Sequence, residues 1–476
     1  MKRRTIYKSL GSICLTILLW GCITPPTSTK TEDKSMPVRF AQAQDTTNMA
    51  SLNWRKYFAD DNLIALIDTA LKNNQELNIT MQEIEISKNE IRARKSEYLP
   101  FVGIGVGAGI EKSGEFTRDG AVEKNLEIKP GTEFPEPLGD VGFGLKASWE
   151  VDIWKKLRNA KKAAVVRYLA TTEGKNFMVT NLIAEIANSY YELMALDNLL
   201  SIIEQNVTIQ TNGFEVVKRQ KEAAKTTQLA VNRFEAQLLN TKNLRYEIRQ
   251  RIVETENRIH FLTAGFPKAI PRSSGRFNDI TLDSVHAGIP SQMLANRPDI
   301  RQAELELEAS KLDVKVARAN FYPSLSIEAG VGFQAFNPAY LVKPESMFYN
   351  LVGDLMAPLI NRNAISATYR SANATQLQQV YNYERTILNA YLEIVNQLSK
   401  VQNFSRSYQT KSQEVDILTQ SITISNSLFL SARADYLEVL LTQREALESR
   451  MELIEIKLKQ MNAKVDIYKS LGGGWK

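Results

Sequence analysis

Cysteine and histidine are almost missing from this 476-residue chain, which holds two of each: Cys14, Cys22, His260 and His286. Both cysteines fall in the first 22 residues, so no disulfide framework staples the folded body. CxxC, HExxH, P-loop and Ser/His/Asp spacings are absent, and Gly105-Val106-Gly107 precedes no helical pattern. Catalytic residues, cofactors and metal ligands are therefore not expected, and the two histidines are expected at a helix end and in a loop. Beyond Cys22 no apolar run is long enough to cross a bilayer as a helix. A lasting excess of one charge is missing too. The formal charge of +6 falls to +2 once Lys2, Arg3, Arg4 and Lys8 are set aside, which argues against a nucleic-acid partner.

Those four basic residues precede the mostly apolar run Ser9–Trp20, the n-region and h-region of a secretory leader over residues 1–21. The leader ends in Leu19-Trp20-Gly21-Cys22, which resembles a bacterial lipobox. The resemblance implies that Cys22 is acylated, and Ile23 after it implies sorting to the outer membrane. The alternative is an ordinary leader with an incidental cysteine. Residues 22–50, rich in Pro, Ser, Thr and Lys, read as a lipidated tether.

The remainder is written twice. Leu71–Pro100 aligns without a gap on Leu294–Pro323, so that Glu83 meets Glu306, Ser87 meets Ser310 and Lys88 meets Lys311. Each half then alternates with period two, in "LPFVGIGVGAGI" and in "YPSLSIEAGVGF". The first repeat spans 51–266, with a hairpin over 99–153 and long helices over 156–262. The second spans 293–476, with a hairpin over 322–360 and long helices over 363–471; a Pro/Gly/Ser-rich connector covers 267–292. Leu447, Met451, Ile454, Leu458, Met461, Val465 and Tyr468 step by four and three, the spacing of a coiled-coil seam. A stretch of about 68 residues reaches on the order of 100 Å as a helix.

Two strands per half make four per chain, each near the 9–11 residues that cross a bilayer. Leu325, Ile327, Ala329, Val331 and Phe333 are expected to meet lipid, and Ser326, Glu328, Gly330 and Gly332 a water-filled bore. Four strands cannot close a barrel, since single-chain barrels begin at about 8. Every strand edge in a bilayer must nevertheless be paired, so the chain is expected to oligomerise. The fold class is mostly α with a membrane β-barrel portion: a duplicated β-hairpin plus long coiled-coil helices. A lipid-anchored periplasmic coiled-coil adaptor or scaffold without a pore is the competing reading.

Three stretches carry a closer resemblance, "WRKYFADDNLIALIDTAL" from Trp54, "LANRPDIRQAE" (Leu294–Glu304) and "LGGGW" (Leu471–Trp475). From Trp54 onward the sequence resembles TolC-like outer-membrane efflux channels, in the lipoprotein branch that serves resistance-nodulation-division (RND) pumps. The resemblance implies a homotrimer forming an α-barrel/β-barrel tunnel, with a mixed α/β girdle around its middle. It also implies a passive gated conduit in outer-membrane lipid, docked to a periplasmic adaptor (membrane fusion) protein and an inner-membrane RND-type pump. Relatives place a carboxylate ring in the tip lumen just after the stretch here written Tyr436–Leu440, where this chain has Leu441. Closure by an apolar ring at Leu441, or by acids shifted to Asp435 and Glu438, is expected instead. Lys221, Lys225 and Arg433 offer weak ion-pair latches.

Overall fold

The computed structural model of the chain describes residues 24–40, 48–280, 287–431 and 433–475. The expected leader, Cys22 and His286 lie outside the described residues. Helices α1 (Trp54–Phe58), α2 (Asp61–Asn73) and α3 (Gln75–Glu97) lead into strand β1 (Phe101–Glu111). Helix α4 (Arg118–Asn125) and the short strands β2 (Glu127–Lys129) and β3 (Thr132–Glu133) precede β4 (Leu138–Val151). Then come α5 (Lys156–Glu222) and α6 (Gln228–Leu262). The second half supplies α7 (Gln292–Asn296), α8 (Pro298–Ala319), β5 (Ser324–Ala335), β6 (Met347–Met356), α9 (Asn363–Leu430) and α10 (Tyr436–Ser470). Among the described residues no helix is long and apolar enough to cross a membrane.

Local chemistry sets these boundaries. The Asp60 carboxylate accepts from Asn62 N and Leu63 N at 2.9 and 3.0 Å, satisfying free donors of α2. Pro298 opens α8, where a missing N–H is harmless. Strand β6 ends at Met356, two residues before Pro358, which has no N–H to give a ladder.

Two compact units result. One holds residues 24–31, Glu85–Leu169 and Leu305–Tyr381; the other holds Glu32–Ile84, Ala170–Glu304 and Asn382–Lys476. The first contains an antiparallel sheet in the order β1-β4-β5-β6. In the second, the α5 seam buries Leu182, Ile186, Tyr190, Leu193 and Ile203, and that of α10 buries Leu447, Ile454, Met461, Val465 and Tyr468. Helix α1 docks on α10 through Tyr57 and Tyr468, whose rings stack at 4.2 Å. The connector is pinned by Arg272, which bonds Asp197 at 2.6 Å and Glu256 at 2.7 Å. A single bridge, Asn48 to Ala287, is the strand pairing found there among the described residues.

Two segments carry more structure than their composition indicates. Residues 24–40 form no helix or strand, yet Asn373 donates to Ser28 O at 3.1 Å and Lys34 pairs with Glu304 at 2.7 Å. Phe40 stacks on Tyr391 and is 2% exposed. This stretch is a strap held by specific contacts. The segment between β1 and β4, within the hairpin expected over 99–153, contains α4 and the β2–β3 hairpin. Thr117 caps α4 by accepting from Gly120 N, and Lys112–Glu136 and Lys124–Glu115 brace the module at 2.7 and 2.9 Å. A helix of eight residues is too short to leave a periodic signal.

Candidate functional site

Residues paired across an antiparallel ladder share one face of the sheet. One row of the four strands is Ile104, Leu145, Val331 and Tyr349, and another is Val106, Phe143, Phe333 and Met347. Ile104, Val106, Leu145, Val331 and Tyr349 are exposed, at up to 83%, so this apolar face has no cover among the described residues. The rows between belong to the opposite face: Gly103, Lys146, Gly330 and Asn350, then Phe101, Ser148, Glu328 and Val352, then Glu150, Ser326 and Asp354. Ser326 and Glu328 thus share a face with Lys146, and Gln334 donates to Asp140 at 2.9 Å farther along it. Phe101, Phe348 and Val352 interrupt its polarity. Glycine keeps the floor low: a Cβ on Gly330 would lie 2.4 Å from Asn350 Oδ1. Lys146 was not anticipated, although the alternation Gly142, Gly144, Lys146, Ser148 in β4 marks its face.

Below this sheet both halves turn through a left-handed residue, Lys155 (φ 60°) and Asn361 (φ 55°), into α5 and α9. Asp152 accepts from Leu157 N at 3.0 Å and from Arg158 N at 2.9 Å, and Arg158 Nε donates to it at 3.0 Å. Burial pushes the Asp152 carboxyl up, but these hydrogen bonds outweigh it and hold its pKa below the ordinary value. Trp154 stacks on Tyr322 at 4.7 Å and donates to Pro323 O at 2.8 Å. Aromatic rings with one polar tip suit a membrane–water boundary.

In the other unit the turn 223–227 joins one pair of long helices, and residues 431 and 433–435 are the described part of the connection in the other pair. Val217, Ala230, Val231 and Phe234 form an apolar cluster there, with Phe214, Phe429, Tyr436 and Leu440 against it. Tyr436 and Leu440 point inward, so Leu437 and Leu441, each 38% exposed, line the adjacent side of α10 four residues apart. Asp435 stands at the N-cap of α10 without accepting from its N–H groups, whereas Thr227 accepts from Ala230 N at 3.3 Å. Asp435 and Glu438 are exposed. Among the described residues no ion pair joins them to Lys221, Lys225 or Arg433, so the anticipated latch is not formed within one chain. In the sequence Leu437 carries no mark beyond its four-residue spacing from Leu441, the position the family resemblance singles out.

The motifs "LANRPDIRQAE" and "LGGGW" meet at a structural joint. Arg297, 6% exposed, donates to Ser470 O at 2.7 Å, to Glu393 at 2.8 Å and to Asp299 at 2.8 and 3.1 Å. Burial works against its charge, yet the two carboxylates outweigh it and raise its pKa. Gly472 (φ +88°) lies on the Asn296 backbone, and Trp475 Nε1 donates to Asn296 O at 3.2 Å. His260 closes the end of α6, its Nε2 lying 2.9 Å from Lys268 O. No group of three or more potential metal ligands occurs among the described residues.

Residues 66–265 and 289–473 match the family described as outer membrane efflux protein. The chain belongs to that family. It is 26% identical over 471 residues to the cation efflux system protein CusC of Escherichia coli O6:H1, covering 97% of this chain and 98% of that protein. It is equally 26% identical over 492 residues to the solvent efflux pump outer membrane protein SrpC of Pseudomonas putida, covering 98% of each. The fold superposes on the Campylobacter jejuni CmeC outer membrane channel with a TM-score of 0.84 at 19% identity, covering 95% of both chains. As an outer membrane efflux protein the chain has the family's fold, a helical tunnel with a membrane β-barrel portion, and its location in the outer membrane.

Proposed function

We propose that three copies of this chain form the exit duct of a tripartite efflux system, a passive, gated conduit. An inner-membrane RND-type pump would feed it through a periplasmic adaptor. The two-faced sheet carries this reading. A four-stranded sheet apolar on one side and glycine-rich and charged on the other fits lipid outside and water inside. Its edges β1 and β6 are unpaired among the described residues, and pairing edge to edge among copies would satisfy them. A scaffold without a pore has no use for such a sheet. No reaction is assigned to the chain and no cofactor is required: energy enters at the pump. The relatives bear names of cation and solvent pumps, so cargo choice is assigned to the pump. Cys22, acylated, would anchor the chain to outer-membrane lipid.

Within the duct Ser326 and Glu328 line the bore with Lys146. Asp140, Glu150, Glu328 and Asp354 outnumber that lysine on the same face, so small cations are favoured. At the tip Leu441, with Leu437, closes the lumen as an apolar constriction, and Asp435 and Glu438 supply the acidic rim. The purified chain in planar bilayers tests this reading: discrete conductance steps from a trimer are expected. A non-conducting monomer overturns it. Glu328→Ala is expected to lower cation preference without abolishing conductance, and unchanged selectivity removes Glu328 from the bore.

A further inference from the structure

The polar face of the four-stranded sheet holds a single cation. Its acids are Glu111, Asp140, Glu150, Glu328 and Asp354, and Lys146 is the one basic residue that the four strands set among them. Lys146 makes no hydrogen bond or ion pair among the described residues, although Glu328 lies on the neighbouring strand one row below it. Its surroundings are bare. Glycine flanks it in its own row, at Gly103 and Gly330, and floors the next row at Gly105, Gly144 and Gly332. The lysine chain leans across β1, since a Cβ on Gly105 would lie 3.9 Å from Lys146 Cε. The Phe101 ring folds back over the same strand, because a Cβ on Gly103 would lie 3.3 Å from its Cε1. Residues two apart on a strand are separated by about 7 Å. A ring that is 72% exposed and an unpaired ammonium therefore stand side by side. Both border a trough of about 620 Å³, which also has Phe348 in its wall. Lys146 and Phe348 border the next hollow toward the β1–β4 connection as well, one of about 380 Å³.

We infer that Phe101, Lys146 and Phe348 form a binding station for aromatic anions. The anionic group meets the Lys146 ammonium, the attached ring packs on Phe101, and Phe348 bounds the trough. The inference rests on the reading above that this face lines a bore. A bore rich in carboxylates turns anions away. A cation set beside a ring lowers that barrier selectively, for anions that bring a ring of their own. The charge favours anions over aromatic cations here. Glu328 shares the row of Phe101 but stands two strands off, about 10 Å across the sheet, whereas Lys146 leans onto the strand that carries the ring. Ring–ring contact adds attraction beyond the area it covers, and a lysine contact in open water is weak. Together they distinguish one solute from another without trapping it, and conduction requires binding that is weak enough to leave. Three copies related by a rotation set three such stations at one level of the bore.

The test uses the full chain in planar bilayers, with benzenesulfonate and methanesulfonate as probes that share one charged group and differ by the ring. Benzenesulfonate is expected to reduce the open-channel current in a concentration-dependent way, and methanesulfonate at the same concentrations to leave it unchanged. Lys146→Gln should raise the half-blocking concentration about tenfold, and Phe101→Leu about threefold. Lys146→Arg keeps the charge and should keep the block. Absence of any conductance overturns the reading of this face as a bore, and the station with it. A conducting channel that treats the two probes alike overturns the station while leaving the bore in place. Ring-dependent block that survives Lys146→Gln unchanged places the anion elsewhere and overturns the assignment.

Discussion

Asn74 and Arg297 occupy the same place in the two halves, each just before a sister helix, and each fastens the last residue of a long helix. Asn74 Nδ2 donates to Leu262 O at 2.9 Å, while its Oδ1 accepts from Leu77 N. Arg297 donates to Ser470 O and draws in Glu393 and Asp299. A neutral amide makes one joint and a buried charged cluster makes the other. The geometry that had to be kept was a donor aimed at the final carbonyl of the helix. The rest was free to diverge.

The two joints should fail differently. Arg297→Ala leaves Glu393 and Asp299 without their cation and is expected to cost the most, about 3 kcal/mol, read as a lowered unfolding midpoint in detergent. A loss no greater than that of Asn74→Ala would mean the charges add nothing. Gly472→Ala strains a left-handed backbone, and its Cβ would lie 2.5 Å from Asn296 O, so about 2 kcal/mol is expected. Asn74→Ala frees one buried carbonyl and one helix-end N–H, at about 1.5 kcal/mol; the same unfolding measurement ranks it.

The helix entries sharpen the contrast further. Asp152→Ala should cost about 1 kcal/mol through the lost cap of α5, whereas α9 has Pro358 in the corresponding place and no carboxylate to lose. Because the folded pKa of Asp152 lies below its ordinary 3.8, its contribution is complete above that value and fades as pH falls through the lower folded one. The difference in midpoint between the natural chain and Asp152→Asn should therefore shrink on acidification below about pH 4. A difference independent of pH would remove the charge from the argument.

Much of the fold was legible because it rests on periodicity. Alternation in Phe101–Ile110 and Leu325–Phe333, and the three-four spacing along α10, report which solvent each face meets and need no partner to be read. The candidate bore residues Ser326 and Glu328 followed from the same alternation. What escaped had no periodic mark. The α4 module is short, the strap over residues 24–40 is irregular, and Arg297 looked like one more charge until Ser470, 173 residues away, was placed beside it.

The sister helices α3 and α8 draw the line between the two sources. Aligned residues gave both the same charges and the same direction of entry into a strand, and sequence alone determined that each would be a helix. Yet α8 buries Ile300, Leu307, Ala309 and Ala317, while α3 buries Leu77 alone and leaves Ile79 and Ile86 exposed. Helical form is decided by neighbours along the chain. Burial is decided by what packs on the helix: Arg167 and Glu173 of α5 reach α8 at Asp313 and Arg301, and the strap's Lys34 joins it at Glu304. Contacts set at such distances in sequence are a property of the tertiary structure.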